Sequence, residues 1–227
     1  IAHDLRTPIT RARARLEDAA THAGTAEQLR YAIDRAVSDL DGVTKVFHAL
    51  LRISEIEAGA RRSAFVWLDL RPLLDDVYDL YSAVAEEGGL QLTLHVSGDL
   101  FAPGDRDLIQ QAIANLLDNA IKFSPPGGNV ELTGERVGGS IVLSVRDHGA
   151  GIPASDLGRA TERFFRGEAA RQTPGFGLGL TLVRAVAQLH SGALRLDDAA
   201  PGLRAMLTIP AAVEGRPARA LPVTAST

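Results

Sequence analysis

The first quarter of the chain carries apolar residues at helical spacing in two successive segments. In the first segment they step by four and three positions, which is a heptad seam, at Leu5, Ile9, Ala12, Leu16 and Ala19. The second segment has similar spacing at Leu29, Ile33, Val37, Leu40, Val43, Phe47, Leu50 and Leu51. Between the segments, Gly24 can end one helix and Thr25 can cap the next. The pattern predicts an antiparallel helical hairpin over residues 1–58. One hairpin cannot bury both seams, so we expect two copies to pair into a homodimeric four-helix bundle.

After a predicted linker at residues 59–63, the periodicity changes repeatedly between that of helices and that of strands. Helices are predicted at 71–87, 105–123 and 181–190, and strands at 91–96, 130–136, 140–146, 193–196 and 204–209. The turn Val137-Gly138-Gly139 joins two of these strands into a hairpin. Helices in runs with a mostly antiparallel sheet predict an α+β fold with helices on one face. The expected domains are 1–60 and 61–212, followed by a tail at 213–227 whose composition predicts disorder.

Composition and charge narrow the functions that are available. The chain has 227 residues, of which 45% are hydrophobic, enough for two modest domains. Its net charge of −4 provides no overall basic field to hold nucleic acid. The lack of cysteine excludes disulfides and thiolate metal sites. No apolar run reaches the roughly 20 residues that cross a bilayer, and no signal peptide is recognisable, so we expect this part of the protein to be soluble.

His3 is the first residue with a potential chemical role. At about 100° per residue, His3 and Thr7 point away from the heptad seam, one turn apart on the same exposed face. A free imidazole has a pKa of about 6.5 and can act as a nucleophile at neutral pH. Asp4 could hold the proton of the other ring nitrogen. Taken alone, a solvated surface histidine explains the position more simply.

Three polar residues share one face of the helix predicted at 105–123. Asn115, Asn119 and Lys122 stand at i, i+4 and i+7. Carboxamide oxygens are hard ligands and lysine supplies a point charge for phosphate, so the set suits a Mg²⁺–triphosphate. A polar helix face without a ligand fits the same spacing.

Asp147 follows a predicted strand directly and is followed by two glycines. A carboxylate at this place can accept a hydrogen bond from an exocyclic amine such as that of adenine. Gly149 and Gly151 allow the backbone to approach a flat base or to turn with positive φ. Many strand-to-loop turns have this D-x-G-x-G pattern, so it is weak by itself.

Alternate glycines also precede the helix predicted at 181–190. Gly175, Gly177 and Gly179 lack Cβ atoms where backbone amides and a helix N-terminus could face phosphates. The long polar segment before them, 154–173, contains the aromatic pair Phe164 and Phe165. Such a segment suits a mobile lid over a nucleotide, with Phe164 and Phe165 as nucleotide-binding residues, and a simple flexible loop is the alternative.

The order of these motifs is far more specific than any one of them. H-D-L-R-T-P, N-L-L-D-N-A-I-K-F, D-H-G-A-G-I-P, E-R-F-F-R-G and G-F-G-L-G-L follow one another along residues 1–210. This series resembles the H, N, G1, F and G2 boxes of bacterial two-component sensor histidine kinases. The resemblance implies a phosphoacceptor hairpin followed by a Bergerat ATP-binding fold, similar to that of gyrase, Hsp90 and MutL.

The resemblance implies a role for each matching residue of the first domain. His3 matches the phosphoacceptor, Asp4 the acid that assists its attack, and Thr7 the residue that orients water when the bundle dephosphorylates its partner. Only two residues precede His3, so it lies in the first turn of its helix, and we expect the chain to be N-terminally truncated.

In the second domain the resemblance implies an ATP site with Mg²⁺. Asn119 matches the Mg²⁺-binding asparagine, Asn115 a helper near metal or phosphate, and Lys122 the phosphate-contacting lysine. The remaining matches are Phe123 packed near the nucleotide, Asp147 reading adenine with Gly149 and Gly151 after it, the loop glycines Gly175, Gly177 and Gly179, and Thr208 supporting the adenine aspartate. Related ATPases that hydrolyse ATP have a glutamate base where this chain has Asn115, and an amide cannot accept that proton.

The function implied is ATP-dependent autophosphorylation of His3 and transfer of the phosphoryl group to an aspartate of a response regulator, with phospho-regulator phosphatase activity. A Bergerat ATPase or a non-catalytic dimeric scaffold is the alternative. The first would need the glutamate and no H box, and the second predicts eroded nucleotide motifs. The full-length protein is expected in the bacterial inner membrane, attached through segments outside this chain.

Other histidines and the arginines of the first helix have simpler explanations. His22, His48, His95, His148 and His190 show no metal-ligand spacing. Arg6, Arg11, Arg13 and Arg15 are interpreted as a solvated helix face, with contact to an acidic response-regulator pocket as the alternative.

Overall fold

The first two elements form the predicted helical hairpin. The computed structural model describes residues 2–58, 65–170, 173 and 175–211, with side chains from residue 9 onward except at 169. Helix α1 runs from Ala2 to His22 and helix α2 from Ala26 to Glu57. Thr25 caps α2, because its extended backbone (φ −135°) lets its hydroxyl accept a hydrogen bond from the Gln28 N–H at 3.2 Å. The predicted linker and tail, at 59–63 and 213–227, lie outside the described residues.

The hairpin buries one apolar stripe and leaves another exposed. Ala12, Ala36 and Val46 are each only 2% exposed. The second stripe, here called the apolar hairpin face, keeps 40–52% of each residue exposed and consists of Ile9, Leu16, Leu29, Ile33, Val37, Leu40, Phe47 and Leu51. A single hairpin therefore satisfies only part of the heptad pattern, as the sequence predicts.

A five-stranded sheet forms the centre of the rest of the chain. Its strands are β2 (Gln91–Ser97), β4 (Asn129–Val137), β5 (Ser140–Arg146), β6 (Ala193–Asp198) and β7 (Leu203–Pro210), ordered β2-β4-β5-β7-β6. Strands β2 and β4 pair in parallel, and the other neighbours are antiparallel. The predicted hairpin of β4 and β5 and the mostly antiparallel sheet are confirmed.

Two short strands outside this sheet were not predicted. Strands β1 (Val66–Asp69) and β3 (Phe101–Gly104) pair antiparallel as a separate ribbon. Each has four residues, and β3 contains Pro103 and Gly104, which both disfavour strands. Their pairing is a consequence of the surrounding packing rather than of local preference.

Three helices cover one face of the sheet and create the main core. They are α3 (Arg71–Glu87), α4 (Arg106–Phe123) and α6 (Gly179–Leu189), and a single turn, α5, spans Ala154–Leu157. Their buried residues pack with the inward residues of β4, β5 and β7 in one cluster. The opposite face of the sheet is polar, with Thr133 hydrogen-bonded to Ser144 at 3.0 Å. The α+β fold with helices on one face is therefore confirmed.

His190 ties the start of α4 to the end of α6. Its Nδ1 donates to the Val186 carbonyl at 2.8 Å, and its Nε2 accepts from the Asp105 N–H at 3.1 Å. The ring also stacks on Phe65, with centroids 4.5 Å apart. Burial lowers the pKa of His190, which matches a neutral ring that needs one donor and one acceptor nitrogen. The simple structural explanation for this histidine is confirmed.

No helix in the described ranges combines the length and the apolarity that crossing a bilayer requires.

Candidate functional site

A cavity of about 920 Å³ lies where α4, the ends of β5 and β7, the start of α6 and the middle of α2 meet. Most of the residues that the sequence assigns to nucleotide binding line it: Asn115, Asn119, Lys122, Phe123, Asp147, Gly151, Phe165, Gly175, Gly177 and Gly179. These residues are up to 64 positions apart in sequence, between Asn115 and Gly179. The fold therefore assembles four of the separate motifs into one site.

Helix α4 presents its polar face to this cavity because its opposite face is held in the core. Asp105 caps the helix, its Oδ1 accepting from the N–H groups of Asp107 (3.0 Å) and Leu108 (3.1 Å). One turn before Asn119, the amide of Asn115 donates through Nδ2 to the Gln111 carbonyl at 2.8 Å. This bond leaves the Asn115 carboxamide oxygen available as an acceptor, which is the atom that a hard cation would use.

Lys122 stands on the same face, near the glycine loop that precedes α6. Its ammonium lies 4.8 Å from the Phe123 ring centroid, and a Cβ built at Gly175 would be 3.1 Å from it. Burial lowers the pKa of Lys122, and the neighbouring positive charge of Arg166 lowers it further. Two cations close together in a partly enclosed cavity are arranged to receive an anion.

Asp147 lies at the other end of the site, 7% exposed. Its Oδ1 accepts from the N–H groups of Gly149 at 2.8 Å and Leu203 at 3.2 Å. Burial raises the pKa of Asp147, while these two backbone hydrogen bonds oppose the rise. Both bonds use the same oxygen, so they fix the plane of the carboxylate and leave its other oxygen for a ligand.

The two glycines after Asp147 serve different purposes. Gly151 has φ +68° and lines the cavity. Gly149 is not among the residues that line it. A Cβ at Gly149 would be only 2.3 Å from the Phe123 carbonyl oxygen, so glycine is required there by the close passage of the backbone behind α4.

The glycine loop before α6 closes tightly over α4. Gly175 and Gly177 have φ of +138° and +69°, conformations that side-chain-bearing residues rarely adopt. At Gly179, the first residue of α6, a Cβ would lie 3.1 Å from the Asn115 Oδ1. The N-terminus of α6 therefore faces the polar side of α4, where its free N–H groups can meet an anion.

The aromatic pair of the predicted lid points in two directions. Phe165 lines the cavity, and the Arg159 guanidinium carbon lies over its ring, 4.5 Å from the ring centroid. Phe164 has φ +64°, and its side chain packs against the hydrophobic core instead. The prediction that both rings face the nucleotide is therefore corrected for Phe164.

Thr208 lies on the wrong side of the sheet for its predicted role. Residues alternate between faces along a strand, and Leu203 and Ala205 of β7 are the ones that line the cavity. Thr208 pairs with Val142, which lines the opposite, polar face together with Met206. The expected support of Asp147 by Thr208 is therefore wrong, and the Leu203 backbone provides that support.

Helix α2 contributes a wall of the cavity that sequence reasoning missed. Lys45, Val46 and Ala49 line it together with the motif residues. None of the three belongs to the predicted heptad seam, and nothing local links α2 to a nucleotide motif, so the sequence carried no signal for this wall. Tyr81 was also missed: its hydroxyl donates to Asp118 Oδ1 at 2.9 Å and so connects α3 to the cavity wall.

His3, Asp4 and Thr7 lie in α1, and their side chains are outside the described part of the structure. The level of His3 along the hairpin follows from the short connection between α1 and α2. His3 is 22 − 3 = 19 residues before His22, the end of α1, and Lys45 is 45 − 26 = 19 residues after Ala26, the start of α2. In an antiparallel hairpin, His3 therefore lies near the level of Lys45. The cavity wall that α2 forms thus lies near the level of His3.

The described residues contain no cluster of three or more His, Asp or Glu side chains that could hold a metal ion. A cation in this cavity would therefore depend on amide oxygens and on the ligand itself. The orientation of Asn115 described above and the neighbouring Asn119 fit that requirement.

Comparison with known proteins identifies the family. Residues 104–213 match the family of histidine kinase-, DNA gyrase B- and HSP90-like ATPases. SenX3 of Mycobacterium tuberculosis, a sensor-like histidine kinase, is 29% identical over 217 residues, which cover 94% of this chain and 53% of SenX3. The chain thus spans about half the length of the curated relatives it matches first.

Solved structures agree with this result. The mycobacterial sensor histidine kinase MprB is 32% identical, with a TM-score of 0.57, over 64% of this chain and 97% of that one. Histidine kinase ThkA, solved in complex with response regulator protein TrrA, shares the fold with a TM-score of 0.73 at 23% identity, over 95% of this chain and 61% of that one. The nucleotide motifs, their assembly in one cavity beside a helical hairpin, and these likenesses together show that the chain belongs to the sensor histidine kinase family, as part of its catalytic core with a Bergerat-type ATPase fold.

Proposed function

We propose that this chain binds ATP with Mg²⁺ in the cavity and transfers the γ-phosphoryl group to His3. The observation that carries the proposal is the shared cavity: a buried carboxylate at one end, amides and cations at the other, and a wall formed by α2 near the level of His3. The phosphoacceptor domain would comprise residues 1–60 and the ATP-binding domain residues 61–212.

Asp147 supports the assignment of the base as adenine. Its Oδ1 is occupied by two backbone N–H groups, so Oδ2 is the oxygen that would accept from the exocyclic amine. The apolar residues Val145, Ile152, Leu203 and Ala205 line the cavity beside it and would cover the faces of a purine.

The phosphates would lie at the opposite end, between α4 and the glycine loop. Lys122 and Arg166 supply positive charge there, and the N-terminus of α6 supplies unpaired N–H groups. Asn119, with Asn115 beside it, would hold the Mg²⁺, which neutralises charge on the triphosphate when bound.

Asn115, and the position of His3 beside the cavity wall formed by α2, support transfer to His3 rather than hydrolysis. A ring nitrogen of His3 would attack the γ-phosphorus as the bond to the ADP oxygen breaks, so that ADP leaves and a phosphorus–nitrogen bond forms. Asp4 would stabilise the ring cation that results. Asn115 cannot remove a proton from water, so hydrolysis in the cavity is disfavoured relative to transfer.

The apolar hairpin face supports a homodimer. Its eight residues are 40–52% exposed, and pairing with a second hairpin would remove them from water. The response regulator is proposed as the next acceptor because ThkA, which has the same fold, was solved with such a partner. Three further points stay predictions: phosphatase activity through Thr7, absence of nucleic-acid binding, and attachment of the whole protein to the bacterial inner membrane.

The direct test is incubation of the chain with ATP labelled in the γ-phosphate. We expect label on the protein that is labile to acid and stable to alkali, and its loss in His3→Gln. His22→Gln is the matched control, because His22 is an exposed histidine of the same helix. Labelling that persists in His3→Gln would refute the proposal; free phosphate without labelled protein would indicate an ATPase, and no turnover with intact dimerisation would indicate a scaffold.

A further inference from the structure

A glycine in the middle of α2 leaves space that a side chain of the glycine loop fills. Glycine is unfavourable in a helix interior, yet Gly42 occupies the seventeenth position of the 32-residue helix α2. A Cβ at Gly42 would lie 3.1 Å and 3.6 Å from two carbon atoms of the Phe176 ring. The missing side chain is therefore matched by a large ring from another part of the chain.

Phe176 belongs to the phosphate end of the cavity. It stands between Gly175 and Gly177, and Gly175 approaches the Lys122 ammonium. A second link between the same two parts of the chain is the Glu57–Arg163 ion pair, 2.6 Å long. Contact between Phe176 and Gly42 therefore brings α2 against the end of the cavity that the proposed function assigns to phosphates.

The contact between Gly42 and Phe176 places Lys45 beside the cavity. It lies three residues after Gly42 and so on the same side of α2, and it lines the cavity beside Val46. With Lys122 and Arg166, it makes three positive side chains around the same cavity. A nucleoside triphosphate carries several negative charges, and each such cation can form a charge-assisted hydrogen bond with them.

We propose that Lys45 is a phosphate-binding residue of the nucleotide site, supplied by the helical hairpin and positioned by the Gly42–Phe176 contact. The inference rests on the proposed function and extends it. ATP then binds more tightly when the hairpin and the ATP-binding part are docked, and ATP favours docking by the same factor. Because Lys45 is near the level of His3, the same contact places the γ-phosphate near its acceptor.

The test compares the affinities of ATP and adenosine in the 227-residue chain by calorimetry. Lys45→Gln should weaken ATP binding about five- to twentyfold, since one charge-assisted hydrogen bond is lost at a partly exposed site. Adenosine, which has no phosphate, should bind unchanged within about twofold. Lys45→Arg should retain most of the ATP affinity, and Arg30→Gln, which removes an exposed charge of α2 outside the cavity lining, should change nothing.

A double-mutant cycle tests the positioning contact. Gly42→Leu should displace Phe176 and weaken ATP binding, and adding Lys45→Gln to it should weaken binding little further, because Lys45 is already withdrawn. Equal losses for ATP and adenosine in Lys45→Gln, unchanged ATP affinity, an equal loss in Arg30→Gln, or additive effects in the cycle would each overturn the inference. If the unsubstituted chain binds ATP but Lys45→Gln matches it, only this inference fails; if the unsubstituted chain binds no ATP, the proposed function itself fails.

Discussion

Replacing Asp147 by asparagine should separate recognition of the base from stability of the fold. The N–H groups of Gly149 and Leu203 both point at Oδ1. An asparagine at this position must keep its oxygen there, because its NH₂ group cannot accept those bonds. The substituted residue therefore turns its NH₂ toward the cavity, where the carboxylate presented an acceptor.

This reversal sets the size of the effect on binding. An acceptor for the adenine amine is replaced by a donor that opposes it, and a hydrogen bond to a charged group contributes about 1.5–3 kcal/mol. Since each 1.4 kcal/mol is about a tenfold change, Asp147→Asn should weaken ATP binding about ten- to hundredfold. ITP carries an oxygen where ATP carries the amine, so ITP should lose less affinity or gain some.

Although Asp147→Asn weakens ATP binding, it should leave the stability of the fold unchanged or increase it. Burial raises the pKa of Asp147 in the folded state, so the folded protein binds a proton more readily there than the unfolded chain. The contribution of this group to stability therefore falls as the pH rises above about 4, the value of an unperturbed aspartate. At pH 7 the neutral asparagine avoids that cost, and the melting temperature should be equal to or higher than that of the unsubstituted chain.

The assay measures ATP and ITP affinities by calorimetry and melting temperature by circular dichroism on the same samples. Asp147→Asn binding ATP within about twofold of the original would refute the role of the carboxylate. A lower melting temperature with equal loss of ATP and ITP would show that Asp147 acts on the fold, and would refute the assignment to base recognition.

Three further predictions concern the fold. Burial lowers the pKa of His190, so stability should fall as the pH drops below about 6.5, and His190→Gln should show a weaker decline in urea unfolding between pH 7.5 and 5.5. Gly192→Ala would place a Cβ 1.8 Å from the Thr208 carbonyl oxygen and should lower the free energy of unfolding in urea by about 2–3 kcal/mol or more. Gly139 has open space around it, so Gly139→Ala should change the same free energy by less than about 0.5 kcal/mol. Thr25→Ala removes the hydroxyl cap of α2 and should cost about 1 kcal/mol in the same measurement, with Thr25→Ser retaining most of it.

Each of these comparisons has a result that would contradict it. The same pH dependence in His190→Gln and in the unsubstituted chain would show that this ring is not what loses stability on acidification. Equal effects of the two alanine substitutions would show that the close backbone contact at Gly192 can relax. A Thr25→Ser variant as unstable as Thr25→Ala would show that the hydroxyl does not act as the cap.

The elements with strong local periodicity were predicted well from the sequence. The heptads of α1 and α2, the amphipathic helix α4 and the hairpin of β4 and β5 were all predicted, with ends within a few residues. Strands β1 and β3 were missed, because four residues containing proline and glycine carry no period. The parallel pairing of β2 with β4 was also beyond local reasoning, since the two strands are separated by α4 in sequence and pair only across the finished sheet.

By itself the sequence determined the order of motifs, and with them the family. It also determined which residues of α4 face the cavity, since one helix face follows from spacing alone. Only the tertiary structure decided that Thr208 points away from the cavity and that Phe164 enters the core. It also decided that α2 contributes Lys45 to the cavity wall and contacts Phe176 through Gly42. The physical reason is the range of the interactions. Helical and strand periods are encoded by neighbours in the chain, whereas the faces of a strand, the direction of a loop side chain and the walls of a cavity are set by packing between segments that are distant in sequence.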